Sequence, residues 1–219
     1  MKKTTASVRA ARSDGQETKR ALLAAAGPLF AQKGYARATA KEICQQAGAD
    51  LAAVNYHYGG KDGLYQAVLV EAHAQLVTIE ELQAIAAQKG SAKARLENVL
   101  RLFMSRMQAG GRGWGLQVLM HEIFAPSDQA PPAVRKAVLP KARIVMGLIA
   151  GVLGLPPGHP AVQRATALVV MPCVMLLVVP AQVRRIVLPA ISKDPQAMVD
   201  DLYAYVFAGL AAIRAAHAA

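Results

Sequence analysis

Cysteine is scarce in this 219-residue sequence: Cys44 and Cys173 are the only two, each inside an apolar helical pattern, with no paired spacing. Such usage excludes a disulfide framework, offers no zinc site, and fits a reducing cytoplasm. Alternating strand patterns are missing as well, so the fold class is expected to be all-α. No Ser/His/Asp or Cys/His constellation, phosphate loop or metal-ligand spacing occurs. Cys44, Cys173, His121 and Glu122 are the only tempting reactive groups, and adjacent His121 and Glu122 would point about 100° apart on a helix. An enzyme is therefore not expected, and no cofactor or metal is called for. The first twelve residues are basic and rich in Ala, Ser and Thr but lack the apolar stretch of a secretory signal, so they read as a mobile arm.

Charged residues make up only 18% of the chain while hydrophobic ones reach 54%, more apolar side chain than an ordinary soluble domain carries. Some of that surplus should line an interface or a pocket. The formal charge of +11 favours a polyanionic partner, nucleic acid or an anionic membrane surface. Both halves are basic, so charge does not locate the binding face. From Ala165 to Val183 no formally charged residue occurs, nearly the length of a membrane-spanning helix. Pro172 and Pro180 interrupt that stretch, Gln182 lies near its end, and no Trp or Tyr marks an interface. A helix buried in a core or a dimer interface is the better reading, with a membrane-associated helical protein as the alternative.

Along the chain, Leu22, Leu23, Ala26, Leu29 and Phe30 form an apolar stripe from about Glu17 to Lys33, with Gly34 as its C-cap. Pro28 lies inside this helix and should kink it or break a turn. Thr39-Ala40-Lys41-Glu42 is a capping box that opens a second helix carrying Ile43 and Ala47 inward and ending at Gly48. Asp50 then caps a third helix, which ends at Gly59-Gly60 before Lys61-Asp62 opens a long fourth. Two short helices joined by a three-residue turn make a helix-turn-helix.

Such a unit lays its second helix in the major groove, while neighbouring helix starts hold phosphates. The outward candidates on helix three are Asp50, Ala52, Ala53, Asn55, Tyr56 and His57. Asn55 can make a bidentate contact to adenine, and the alanines permit contact with thymine methyls. Thr39 and Lys61, at the starts of helices two and four, stand where a hydroxyl, an ammonium and the helix dipole can meet the backbone. Tyr56 and His57 could instead pack against helix one, and the basic arm could be an idle tail or a minor-groove contact.

Further on, Leu96, Val99, Leu100, Phe103, Met104 and Met107 keep helical spacing, and residues 114–124 form a short helix ended by Ala125-Pro126. Its apolar stripe is expected at Leu116, Leu119, Met120, Ile123 and Phe124, leaving Trp114, Gln117, Val118 and His121 as a mixed face. Residues 133–153 form a helix bent at Pro140, followed by a Gly-Pro connector at 154–158. In the last helix, from about Pro195, Val199, Leu202, Val206, Gly209 and Ile213 have a seam-like spacing that suits a partner helix.

The run Leu29-Phe30-Ala31-Gln32-Lys33-Gly34-Tyr35, then Thr39, Glu42-Ile43, Ala47-Gly48 and Asn55-Tyr56-His57-Tyr58-Gly59-Gly60-Lys61-Asp62-Gly63-Leu64-Tyr65, resembles the DNA-binding domain of TetR regulators. Asparagine at 55, where many members place a tyrosine, is similar to the CecR-like branch, as are Trp114 and the Glu122 to Pro126 spacing. Cys44 and Pro28 depart from the pattern without removing a DNA contact. The resemblance implies a basic arm at 1–15, a three-helix helix-turn-helix domain at 16–66, and a C-terminal helical bundle at 67–219 for effector binding and dimerisation. It implies a cytoplasmic homodimeric repressor released from a near-palindromic double-stranded DNA operator by a small molecule. Candidate effector contacts are Phe103, Met107, Trp114, Gln117, Val118, His121, Met146, Met171 and Met175. Thioethers fill irregular apolar pockets, although the same methionines would serve equally as core.

Overall fold

The computed structural model describes residues 4–108, 113–179 and 181–217. In chain order its helices are α1 (Thr4–Arg37), α2 (Ala40–Ala47), α3 (Leu51–Tyr58), α4 (Lys61–Leu76), α5 (Ile79–Ala86), α6 (Ala92–Gln108), α7 (Gly115–Phe124) and α8 (Ala130–Ala133). A π-helical turn at Val134–Val138 leads into α9 (Leu139–Leu153), then α10 (Pro160–Val178), α11 (Ala181–Val187), α12 (Pro189–Lys193) and α13 (Pro195–Ala216). Among the described residues there is no strand. The protein is all-α, as expected.

The chain folds as two compact units that do not follow chain order. The first joins Met1–Gln75 to Gly113–Ala137, and the second joins Leu76–Arg112 to Val138–Ala219. The helix-turn-helix unit thus carries α7 and α8 within it.

In the first unit, α1 packs Leu22, Ala26, Leu29 and Phe30 inward against Ile43 of α2, Val54 of α3, and Leu64, Tyr65 and Val68 of α4. The helical backbone runs on through Pro28, and the one residue with non-helical dihedrals is Gly34, at φ 71°. Of the kink or broken turn expected at Pro28, the broken turn is absent. Pro28 is exposed, so its missing N–H costs one bond on the solvent side while the core-facing turns stay intact. Residues 4–15, expected as an arm, continue the same helix, consistent with alanine's high helix propensity at positions 6, 10 and 11.

Local chemistry sets the helix-turn-helix. Thr39 and Glu42 form the reciprocal capping box: Glu42 N donates to Thr39 Oγ1 at 3.2 Å and Thr39 N to Glu42 Oε2 at 3.1 Å. Gly48 closes α2 in the left-handed region, and the Asp50 carboxylate accepts from Ala53 N at 2.8 Å to start α3. Gly63 has a different reason to be glycine. A Cβ there would lie 1.8 Å from the Tyr58 carbonyl oxygen, so α4 can start this close to the end of α3 only without a side chain.

The second unit has its own core, built from Leu82 of α5, Leu96 and Leu100 of α6, Ile149 and Leu153 of α9, Val162 and Val169 of α10, and Leu202 and Val206 of α13. Helix α5 opens on a second capping box, Thr78 with Glu81. The irregularity expected at Pro140 falls just ahead of it. The widened π turn ends at Val138, where a regular turn would press the proline ring against the carbonyl of Lys136. The seam expected on α13 is corrected: Val199, Leu202 and Val206 are buried in this unit's own core, whereas Gly209 is exposed. Seam spacing marks a buried stripe and cannot say whether the same chain or another one covers it. Among the described residues no helix is long and apolar enough to cross a membrane. The apolar stretch from 165 is instead used in α10, where Ala165, Val169 and Cys173 face the core.

Candidate nucleic-acid interface

Helix α3 is held from behind and open in front. Val54 is buried, the Tyr58 hydroxyl donates to the Lys19 carbonyl of α1 at 2.7 Å, and the Cys44 thiol donates to the Asp50 carbonyl at 3.2 Å. These contacts fix the helix on α1 and α2. Its other face presents Leu51, Ala52, Asn55 and Tyr56 to solvent, with Tyr56 86% exposed and Leu51 54% exposed. Positions 51, 52, 55 and 56 lie on one side of a helix. Leu51 and Tyr56 stand out from a short, doubly capped helix whose inward packing is carried by Val54.

The expected contact residues divide accordingly. Ala52, Asn55 and Tyr56 share the open face, and Thr39 is exposed at the start of α2. Asp50 is exposed, but its carboxylate is engaged in capping α3. Ala53 and His57 are half-buried on the flank toward α1, where His57 stands beside Gly15. The rings of His57 and Tyr56 meet edge to face, with centroids 4.9 Å apart. The Lys61 ammonium rests over the Tyr35 ring, 4.4 Å from its centroid. The candidate set omitted Leu51. The available signal was its place directly after the N-cap, in the first turn of the reading helix.

Two side-chain pairs of the same unit are tightly tied. Lys33 bonds Glu42 at 2.7 Å; that bond, followed by those from Thr39, brings the Glu42 carboxyl down to about 2. The Tyr35 hydroxyl donates to Asp62, and chiefly this bond pushes its pKa up to about 12.

The effector candidates are split between the two units. In the first, Trp114 lies flat on α1, so close that a Cβ on Gly27 would stand 2.1 Å from the indole. Val118 is fully buried, and His121 Nε2 donates to the Ala31 carbonyl at 2.9 Å. The Tyr65 hydroxyl donates to Glu122 at 2.7 Å, and Ser127 N and Oγ donate to the same carboxylate. Three of the four residues expected on the free face, Trp114, Val118 and His121, are thus turned into this unit, while of the stripe expected inside Leu119 is buried and Ile123 and Phe124 are exposed. Gln117 is exposed. In the second unit Phe103 and Met146 pack on the core, and Met171 and Met175 are about half exposed on α10. Met107 lies outside the described side chains. Met175 also borders an apolar cavity of about 310 Å³ with Pro172, Leu176, Met198 and Leu202.

A capped helix-turn-helix with its second helix turned outward, on an otherwise helical chain, is the architecture of helix-turn-helix DNA-binding regulators. Residues 22–68 match the family model described as bacterial regulatory proteins, tetR family, and residues 92–212 match that of the C-terminal domain of the HTH-type transcriptional dual regulator CecR. The chain belongs to the TetR family of bacterial transcriptional regulators, in its CecR type, which is a family of regulators and not of enzymes. It is 43% identical over 53 residues to the HTH-type transcriptional dual regulator CecR of Shigella flexneri, a match that spans 24% of this chain and 23% of that relative. Similar solved structures include FadR from Bacillus subtilis in complex with stearoyl-CoA (TM-score 0.61, 16% identity, 87% of this chain and 96% of that one). The fatty acid degradation regulator FadR from Bacillus halodurans is also similar (0.63, 12%, 87% and 98%). So is AmtR from Mycobacterium smegmatis (0.54, 22%, 89% and 91%).

Proposed function

We propose that this protein is a cytoplasmic, homodimeric repressor that binds a near-palindromic operator through α3 and leaves it when a small molecule binds. The observation that carries this reading is the open face of α3, where an amide, a phenol and an exposed leucine project from a helix locked at both ends. Asn55 reads an adenine edge, Tyr56 reaches across the groove, and Thr39 and Lys61 meet phosphates on either side.

Dimerisation follows from what α10 leaves uncovered. Leu168, Met171 and Met175 are exposed along one stripe, with Tyr205 exposed on α13. A second copy covering these faces sets the two reading helices one DNA turn apart, roughly 34 to 36 Å. The effector is a small apolar molecule held in the second unit. An open apolar recess bordered by Pro172, Met175, Leu176, Met198 and Leu202, with Arg184 at its edge, is the place in this unit that would hold it. An effector that binds one spacing of the heads better than the other shifts the population toward it.

The test is binding of purified protein to promoter-proximal DNA and to a scrambled duplex at two salt concentrations. Asn55→Ala should lose sequence preference, and Lys61→Ala should keep it with a shallower salt slope. Equal binding of both duplexes by wild type and both variants would reduce the protein to a generic polycation.

A further inference from the structure

We propose that Leu51 is a specificity determinant that reads a thymine methyl group; the inference rests on the proposed function and deepens it. Leu51 is the first residue of α3, directly after the Asp50 cap, and is 54% exposed on the same face as Asn55 and Tyr56. The N-terminal residues of a reading helix are those that approach base edges most closely. A leucine there has nothing to offer a donor or an acceptor. In the major groove the apolar feature it can meet is the C5-methyl of thymine.

The anchoring of the helix is carried by other residues. Helix α3 is already anchored by Val54 and by the Tyr58 bond to α1, and its start is already capped by Asp50. Leu51 stands one helical turn before Asn55, so the two side chains are neighbours on the surface. An amide that suits adenine beside a branched apolar group that suits thymine predicts neighbouring A·T pairs in each half-site. Ala52 next to them is small enough to let the leucine close on the methyl group.

The experiment begins with wild-type protein enriching sequences from a random duplex pool. Each thymine of the enriched site is then replaced in turn by deoxyuridine, which removes only the methyl group. Affinities are measured for wild type, Leu51→Ala and Leu51→Met. One thymine per half-site should be sensitive in wild type, by about fourfold, the worth of one buried methyl. Leu51→Ala should bind the thymine site more weakly by a similar factor and be indifferent to uracil at that position, while Leu51→Met stays sensitive. Circular dichroism of the variants separates loss of contact from loss of fold. If every uracil substitution is neutral, or Leu51→Ala remains as sensitive as wild type, the assignment is overturned although DNA recognition stands. If no sequence is enriched, DNA recognition fails and Leu51 fails with it.

Discussion

Replacing glycine by alanine at two helical positions should change stability with opposite sign. In a helix interior the substitution is worth about 0.5–1 kcal/mol in favour of alanine, because the unfolded glycine has more freedom to lose. At Gly147 in α9 a Cβ meets nothing within 4 Å, so that gain should appear undiminished. Each 1 kcal/mol corresponds to roughly 2–4 °C in a chain of this size, so Gly147→Ala should melt about 1–4 °C higher. At Gly27 the same Cβ would sit 2.1 to 2.5 Å from three atoms of the Trp114 indole, well inside contact distance. Overpacking of that kind costs about 1–3 kcal/mol, which exceeds the propensity gain. Gly27→Ala should therefore melt lower than wild type, by about 1 kcal/mol.

Trp114 is the only tryptophan of the chain, so its emission reports the displacement directly. In Gly27→Ala the indole should be pushed off α1 and its emission should move to longer wavelength, while Gly147→Ala leaves the spectrum unchanged. In a Trp114→Ala background the obstruction is gone, and Gly27→Ala should become stabilising. The resulting coupling, about 2 kcal/mol, is the size expected of residues in contact. Melting must be compared at one protein concentration, since self-association adds to stability. Were Gly27→Ala to stabilise like Gly147→Ala with unaltered emission, Trp114 would not lie on α1, and the inclusion of α7 in the helix-turn-helix unit would lose its main support.

Removing the α3 cap with Asp50→Ala should cost about 1 kcal/mol in urea denaturation, while Asp50→Asn keeps the cap and, having shed a negative charge near phosphate, binds DNA more tightly at low salt. Tyr65→Phe deletes a donor to the Glu122 carboxylate and should destabilise by about 1.5–3 kcal/mol, measurable by thermal melting. Glu42 has its folded pKa lowered to about 2 from 4.5, so its stabilising contribution is fully present above 4.5 and is lost as pH falls toward 2. Glu42→Gln should accordingly flatten the acid limb of the stability curve between those values. For Tyr35 the folded pKa is raised from 10.0 to about 12, so the stability it adds is present below 10 and lost as pH rises through 12; Tyr35→Phe should remove that alkaline dependence in melts across this range.

The helix-turn-helix was legible because its instructions are local. Thr39 with Glu42, Gly48, Asp50 and Gly59 each act within four residues, and each adopts the geometry its side chain or lack of one dictates. The capping box at Thr78 and Glu81 is of the same kind and could have announced α5 as a separate helix. At Pro28 the turn stays helical because the missing N–H faces solvent, a circumstance that local sequence does not reveal. The α7 face was misjudged for a different reason. Its stripe was drawn by counting apolar residues, but burial there is decided by what α1 and α4 leave open: bare Gly27 for the indole and the Ala31 carbonyl for His121. On α13 Val199, Leu202 and Val206 are buried as their spacing predicts, and the identity of the surface covering them was beyond a one-dimensional pattern.

The same contacts bear on how a signal could reach the reading helix. The segment that matches the CecR C-terminal domain runs from 92 to 212 and so includes α7, yet α7 folds with the DNA-binding helices. Trp114 and His121 fasten it to α1, and Glu122 fastens it to α4 through Tyr65. No new contact is then needed to transmit a displacement imposed on α7, because the helix belongs to the body that carries α3. Substitutions at these three positions should alter operator affinity without touching DNA, which titration of a labelled operator with each variant would measure. Unchanged operator affinity in Trp114→Ala and His121→Ala would leave these contacts a purely structural role.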